Sequence, residues 1–511
     1  MLARIRSSLL QGIDALPCEV EVDHDPTAID KPPLIVGLPD AAVKESLERV
    51  RSALMNSGYY PSSGRTLINL APADLKKEGP VYDLPIAAGL LAVGGVIRER
   101  PEAGLDFRTA VMAGELALDG RVRPIKGALA LASMARATGA AAAIVPAENA
   151  AEAAVVSGIE VYGVRTLAEL VGLLTGQLDF GPQPAPDVAG LLRHAEAPID
   201  FGEVRGQESV KRAITISAAG SHNLLLLGPP GTGKTMMAKA LPGILPPLSP
   251  EEAIEITRIY SAAGVLPAGQ GLVTSRPVRS PHHTASSPAV CGGGIIPRPG
   301  EISLAHKGVL FLDELAEFPR TVLETLRQPL EDHVVTIARA NGTLRFPASF
   351  MLVAAMNPTP KGDMPAGEVG RRAMEKYLAK ISGPLLDRID IHVEAPAVPF
   401  DQLTGRAGTN GTTSAKMRDM AAAARGRQVA RQGVGTPNSR LSGRQLDELA
   451  PMDEACREVL RQAMTELKLS ARAYDKIRRV ARTIADLAGE ERLAVGHVSE
   501  AVGYRLLDRA G

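Results

Sequence analysis

Residues 223–241 read NLLLLGPPGTGKTMMAKAL, and this stretch decides how the rest of the chain is organised. The four leucines from Leu224 to Leu227 form the unbroken apolar run that a strand buried on both faces requires. A glycine loop follows, and then a helix-forming run. The loop fits G-x-x-x-x-G-K-[ST] from Gly228 through Pro229, Pro230, Gly231, Thr232 and Gly233 to Lys234 and Thr235, in the strand-to-helix setting that a phosphate-binding P-loop needs. Its glycines allow backbone N–H groups to curl around phosphate oxygens without Cβ clashes. Lys234 is expected to balance charge on the β- and γ-phosphates, and the Thr235 hydroxyl to coordinate Mg²⁺. The competing reading is a chance glycine turn, and the flanking strand and helix argue against it. ATP and Mg²⁺ are therefore the expected cofactors.

Three further segments extend the pattern. In GVLFLDELAEF (308–318), four apolar residues run into Asp313 and Glu314, as when a buried parallel strand delivers acids to its C-terminal edge. Asp313 is expected to hold Mg²⁺ and Glu314 to polarise the attacking water. FMLVAAMNP (350–358) ends a third apolar strand at Asn357, whose amide suits either orienting that water or capping the following Pro turn. ISGPLLDRIDIHVE (381–394) offers Arg388, and LSARAYDKIRRVARTIADLAG (469–489) offers Arg472. Each could neutralise a transferring phosphoryl group or be a surface ion-pair residue. Only the order of the whole series favours the first role.

Composition bounds the rest. At 511 residues the chain exceeds one core, since domains usually hold roughly 100 to 200 residues. A 45% hydrophobic and 22% charged chain is ordinary globular protein, whereas 3% aromatics with no Trp argue against base stacking as its hold on nucleic acid. Lys+Arg and Asp+Glu are both 57, so the whole-chain field steers no polyanion. Locally, residues 1–180 carry 17 basic against 22 acidic side chains (17 − 22 = −5) and 416–511 carry 18 against 13 (18 − 13 = +5). The C-terminal excess suits either a polyanion-facing surface or solvated helix faces. Cys18, Cys291 and Cys456 are too far apart for a disulfide framework or a four-thiolate zinc site, which fits a reducing cytoplasm. The start, broken by Gln11 and Asp14, makes a poor signal peptide, and LPIAAGLLAVGGVI (84–97) is shorter than the roughly 20 residues of a membrane span. It reads as a buried helix, and no membrane association is expected.

The chain is expected to be multidomain α/β. Residues 1–180 mix short β-rich runs with Ala-rich helical stretches, an α+β or α/β pattern. Pro-Gly clusters in 181–199 mark a linker. Residues 200–400 alternate strands and helices as parallel sheets do, 401–416 hold a Gly/Thr-rich linker loop, and 417–511 have helical periodicity. LEDHVVTIARANGTLRFPASF (330–350) alternates around Asn341-Gly342, which predicts a hairpin with a type I′ turn.

The ordered nucleotide motifs resemble those of an AAA+ ATPase. Together with RPVRSPHHTASSPAVCGGGIIPRPGEISLAHKG (276–308), LFLDELAEFPRTVLETLRQPLED and KISGPLLDRIDIHVE, they closely match the Mg-chelatase-like ComM/YifB family, over nearly the whole chain. By that resemblance Asn357 is sensor 1, Arg388 an arginine finger acting on a neighbouring subunit, and Arg472 sensor 2 in a helical lid, the Mg-chelatase-like C-terminal domain. The resemblance implies a hexameric ring that binds DNA and drives branch migration in homologous recombination during natural transformation, with a recombinase or other recombination proteins as possible partners. The 276–308 insert and the hairpin resemble segments lining helicase-like pores, where Arg298, Arg339 and Arg345 are candidate DNA contacts; each is equally readable as a solvated loop charge. Relatives often carry cysteines after sensor 1, where this chain has Thr359 and Lys361, so any metal clasp there is lost. His282, His283 and Cys291 are spaced loosely and lack a fourth ligand.

ELALDGRVRPIKGALAL (115–131) and IVPAEN (144–149) resemble the active-site surround of Lon-type proteases, so the first domain is expected to be Lon-protease-like, of the ribosomal S5 domain 2-like kind. In KKEGPVYDLPIA (76–87) Asp83 and Leu84 stand near the serine's place, and in PIKGALAL (124–131) Leu129 stands in the lysine's, with Lys126 nearby. Neither a carboxylate nor an isobutyl group replaces that pair, so the domain is expected to be catalytically inactive. The alternative to a DNA motor is a chelatase-type motor that remodels a protein partner for Mg²⁺ insertion into a porphyrin. Against it, the chain shows no D-x-S-x-S motif.

Overall fold

Alternation of buried and exposed side chains builds the first hairpin, in which β1 (Leu2–Gln11) and β2 (Asp14–Asp25) pair antiparallel around Gly12, at φ 68°. The computed structural model describes residues 1–28, 32–60, 64–98, 105–178, 180–267, 269–294, 297–339, 342–359, 372, 374, 376–399, 412–505 and 507. The chain divides into two units, Met1–Leu191 with Ala253–Val273, and Leu192–Glu252 with Thr274–Gly511.

In the first unit the hairpin is joined by β3 (Leu34–Val36), β4 (Arg65–Ala71), β5 (Ala110–Met112), a short ribbon of β6 (Glu115–Leu116) and β7 (Val122–Arg123), then β8 (Ala142–Pro146) and β9 (Glu160–Val164). The main sheet has the order β3-β4-β2-β1-β5-β8-β9, antiparallel at β1–β2 and β2–β4 and parallel elsewhere. The apolar stretch that begins at Leu84 folds as the helix Asp83–Val93, buried on nearly every side, as a helix without a polar face must be. Among the described residues no helix is long and apolar enough to cross a membrane. Residues 253–273 belong to this unit although they follow the P-loop in sequence. They are fastened at the buried Glu152, whose carboxylate accepts hydrogen bonds from Ser261 Oγ, Leu129 N (2.8 Å) and Asn149 Nδ2 (3.2 Å).

Asp83 is enclosed, and its two oxygens meet Arg49 Nε at 2.9 Å and Arg49 Nη2 at 3.1 Å, with Leu116 N donating at 3.2 Å. Burial pushes its carboxyl above the ordinary range, and these donors only partly offset that. Asp83, which stands near the place expected for a nucleophilic serine, is thus an internal fastener, and Leu129 is fully buried. Lys126 is exposed, its stem alongside Gly264. Arg49→Ala would strand the carboxylate and is expected to destabilise this unit by about 3–5 kcal/mol, the cost of breaking a buried pair from one side. Denaturant unfolding followed on the full chain checks it, since an unchanged first transition would mean that the pair is dispensable.

The second unit is built on β10 (Leu224–Leu227), β11 (Val278–Arg279), β12 (Gly292–Gly293), β13 (Arg298–Pro299), β14 (Val309–Leu312), β15 (Val334–Arg339), β16 (Gly342–Pro347), β17 (Met351–Met356) and β18 (Ile391–Glu394). Five of these make a sheet of order β11-β14-β17-β10-β18 in which every pair is parallel. All residues of β10, β14 and β17 are buried, which is why these strands read as continuous apolar runs. Helices Ser414–Gln432, Glu454–Glu466, Ala471–Ala488 and Val495–Gly503 share a hydrophobic core with this sheet.

A buried charge pair joins the helices to the sheet. Lys476 Nζ lies 2.7 Å from Asp390 Oδ1, just before β18, while Asn223 N donates to Asp390 Oδ2 at 2.9 Å. Burial alone would raise the Asp390 pKa, but Lys476 and His222 outweigh it and hold the carboxyl well below its usual range.

β15 and β16 form the expected hairpin, with a corrected register. Arg339 pairs with Gly342, so Gly342 opens the returning strand; Ala340 and Asn341, and hence the turn type, lie outside the described residues. The register opposes Val335 to Phe346 and Ile337 to Leu344, keeping the apolar set together on one face, which a one-residue slip would reverse.

Candidate nucleotide site

At the C-terminal edge of the parallel sheet, β10, β14 and β17 each end in a residue singled out from the sequence. The P-loop follows β10, and Gly231 and Gly233 take φ of +79° and +86°, which L side chains rarely adopt. A Cβ on Gly228 would lie 2.2 Å from the carbonyl oxygen of Ala395, so the loop's start passes hard against neighbouring backbone. Thr232 Oγ1 donates to Pro229 O at 3.0 Å and braces the loop internally.

Lys234 Nζ donates to Gly228 O (2.7 Å), Pro229 O (2.8 Å) and Asn357 Oδ1 (3.2 Å). Burial draws its pKa below the ordinary lysine value, and the Asp313 charge opposes that fall. The Asn357 side chain therefore faces the P-loop lysine. Thr235 Oγ1 donates to Asp313 Oδ2 at 2.7 Å, and Asp313 Oδ1 accepts Glu314 N at 3.0 Å. A hydroxyl and a carboxylate brought together beside a lysine are the hard oxygen donors that Mg²⁺ accepts when phosphate supplies further ligands, so the residues fit Mg²⁺ with a nucleoside triphosphate. Glu314 adopts φ +53°, a left-handed turn at the strand end, and its half-exposed carboxylate lies 3.3 Å from His283 Nδ1.

Arg388 and Arg472 lie elsewhere. Asn223, Gly308, Phe350 and Asp390, the residues just before β10, β14, β17 and β18, line a cavity of about 440 Å³ at the N-terminal edge of the sheet, and both arginines line it too. Strand β10 alone separates the two edges by roughly 13 Å at the usual rise per residue. Arg388 pairs with Glu331 and donates from Nη1 to Pro384 O at 2.6 Å, and among the described residues its buried Nε has no partner. The structure thus brings together Lys234, Thr235, Asp313, Glu314 and Asn357, and does not bring Arg388 or Arg472 to the P-loop of the same chain.

Sequence reasoning missed the His283–Glu314 contact and the cations that join Arg388 and Arg472 around the cavity, among them Arg425, Arg440, Lys476 and Arg479. The pair His282-His283 just after a short strand was the available signal for the first. No group of three His, Cys, Asp or Glu side chains that could hold a metal occurs among the described residues. Instead His282 Nδ1 lies 2.9 Å from Thr284 Oγ1 and Cys291 Sγ 2.8 Å from Thr325 Oγ1. Arg298 and Arg345 are exposed; the Arg339 side chain and Lys361 lie outside the described residues.

A P-loop, an acidic strand end and a polar strand end on one parallel sheet define a P-loop nucleotide-binding module. Models of magnesium chelatase subunit ChlI match residues 200–403 and 20–149, and the model of its C-terminal part matches 411–505. The chain is 41% identical to Competence protein ComM of Haemophilus influenzae and 42% identical to YifB of Salmonella typhimurium, covering 99% of this chain and 98% of each relative. It is 26% identical to the magnesium-chelatase 38 kDa subunit of Rhodobacter capsulatus over 32% of this chain and 51% of that one. The chain belongs to the ComM/YifB family of Mg-chelatase-like AAA+ ATPases.

Proposed function

We propose that this chain is an ATP-driven motor that assembles into a ring, as a hexamer, and moves DNA to promote branch migration of recombination intermediates, as in natural transformation. The observation that carries the reading is the separation of Arg388 and Arg472 from their own P-loop. Neither arginine then reaches its own chain's γ-phosphate position, and a neighbour in a closed ring can present one. Bound at the P-loop, Mg²⁺ would neutralise phosphate charge, held by Thr235 and Asp313. Lys234 grips the phosphates, Asn357 orients the attacking water and Glu314 accepts its proton.

The DNA part rests on the resemblance to a competence protein and on the positive balance of 416–511. The first domain reads as a Lon-protease-like fold that has lost its chemistry and serves as a docking or DNA-guiding surface. A cytoplasmic setting fits a DNA partner.

Binding through phosphates releases counterions, so affinity for a synthetic four-way junction is expected to fall about 10³-fold or more between 50 and 200 mM KCl if six or more phosphates are held. ATP turnover is expected to rise when the junction is added. A flat salt response would remove the nucleic-acid reading. The chelatase-type reading draws on the ChlI family models, and porphyrin metallation that depends on this chain and a partner subunit would favour it instead.

A further inference from the structure

Arg388 stands in neither a helix nor a strand. It falls between the single turn Gly383–Leu386 and β18, so its carbonyl has no place in a ladder and has to be paired from elsewhere. The partner is Asn223, whose Nδ2 donates to Arg388 O at 3.0 Å. The other side of the same amide, Oδ1, accepts Leu352 N at 2.9 Å, near the start of β17. A backbone N–H can only donate and a carbonyl can only accept, so these two contacts fix which way the amide faces. The main chain of Asn223 completes the clamp: its N donates to Asp390 Oδ2 at 2.9 Å, and its carbonyl accepts Asp390 N and Ile391 N, each at 3.0 Å. One residue thereby ties β10, β17 and the run into β18 together at the edge where Arg388 emerges.

The far end of the arginine rests on partners that it can exchange. Its guanidinium meets Glu331 and Pro384 O, and it must leave them to reach a phosphate on another chain. What stays constant through such a swing is the peptide from which the side chain starts. For a group that must meet a transferring phosphoryl, a displacement of about 1 Å can cost about 10²-fold in rate. The P-loop of the same chain begins at the opposite end of β10, so Asn223 and Gly228 bracket one strand with the two halves of two different sites.

We propose that Asn223 is a positioning residue for the arginine finger: its amide fixes the Arg388 peptide so that the guanidinium meets the nucleotide of a neighbouring chain, and it serves that neighbour's site although its own P-loop lies on the same strand. The proposal rests on the reading of Arg388 as a cation that acts on a neighbour.

Steady-state ATPase of the full chain, alone and in mixtures, tests it. Asn223→Ala is expected to lower kcat about 10- to 10²-fold and to leave KM for ATP within about twofold. Asn223→Gln keeps a donor and an acceptor on a longer stem; it is expected to lose less and stands in if the alanine variant does not fold. Mixed in equal amounts with Lys234→Ala, whose Asn223 and Arg388 are intact, either variant is expected to exceed the sum of the two chains alone, because roughly a quarter of the junctions then hold a sound P-loop and a sound finger. Mixed with Arg388→Ala, neither is expected to gain, since both chains are then impaired on the same face of the junction. An unchanged kcat overturns the proposal. So does the reversed pattern, a loss relieved by Arg388→Ala and not by Lys234→Ala, which would make Asn223 a structural support of its own P-loop. If Lys234→Ala and Arg388→Ala together regain no turnover, the reading of Arg388 falls and the proposal with it; if they do regain it while Asn223→Ala with Lys234→Ala does not, only the role of Asn223 is lost.

Discussion

A chain carrying Glu314→Gln is expected to bind ATP and hydrolyse it about 10²- to 10⁴-fold more slowly, the range that a positioned general base contributes. The separation of tasks at the end of β14 is the reason. Asp313 faces Thr235 Oγ1 at 2.7 Å and is placed to hold the metal, whereas Glu314 points away toward His283. Gln keeps the length of the side chain and meets the same left-handed backbone strain at φ +53°, so folding is not the variable that changes. It removes only the group able to accept a proton from water. Nucleotide binding by filter retention, set beside ADP release, separates the two steps. Lys234→Ala provides the contrast, since the amine that bridges Gly228 O, Pro229 O and Asn357 Oδ1 is placed to grip phosphate, and its loss is expected to remove binding as well. If Glu314→Gln turns ATP over at the unmodified rate, Glu314 is not the base.

The nucleotide-binding half of the fold is legible because its signals are local. A strand, a loop and a helix follow one another in 223–241, and an apolar run before Asp313-Glu314 already says which end of a parallel strand the acids occupy. The hairpin of 334–347 is legible from alternation, yet its register is not. The Asn-Gly pair marks a turn without fixing which residue is the first to pair, and burial of Ile337 and Phe346 decides that.

What escapes the sequence are contacts across long chain separations. Arg49 is 34 residues from Asp83, and no pattern announces that they meet. Helix Pro250–Ala263 comes next after the P-loop helix Lys234–Ala240 and a single helical turn, but Ala253–Val273 belong to the first unit, where Ser261 reaches Glu152 across 109 residues. The His283–Glu314 contact depends on how the insert after β11 folds back, which two adjacent histidines cannot reveal. The same limit applies to Arg388. Its motif identifies the residue, whereas only the sheet shows that it precedes β18 at the edge away from the P-loop.

That placement yields the second large effect. Arg388→Ala is expected to cut turnover by about 10³- to 10⁵-fold, the worth of an arginine that neutralises a transferring phosphoryl group, with ATP binding kept. A cation acting within its own chain and one acting on a neighbour give the same single-variant result, so the decisive experiment mixes two dead chains. Lys234→Ala has no working P-loop but an intact Arg388; Arg388→Ala has the reverse. In a ring with head-to-tail contacts, an Arg388→Ala chain whose neighbour is Lys234→Ala has a complete site at their junction. Random mixing at equal amounts makes roughly a quarter of the junctions complete, so up to that share of the unmodified turnover is expected if the sites fire independently. Strictly sequential firing around the ring would lower the yield and leave it above the sum of the two variants alone. Glu331, the present partner of Arg388, adds a control: Glu331→Gln frees the guanidinium and keeps the finger, so it must not behave like Arg388→Ala. A mixture no more active than its components would place Arg388 in its own chain's chemistry, against the roughly 13 Å of strand that stands between them.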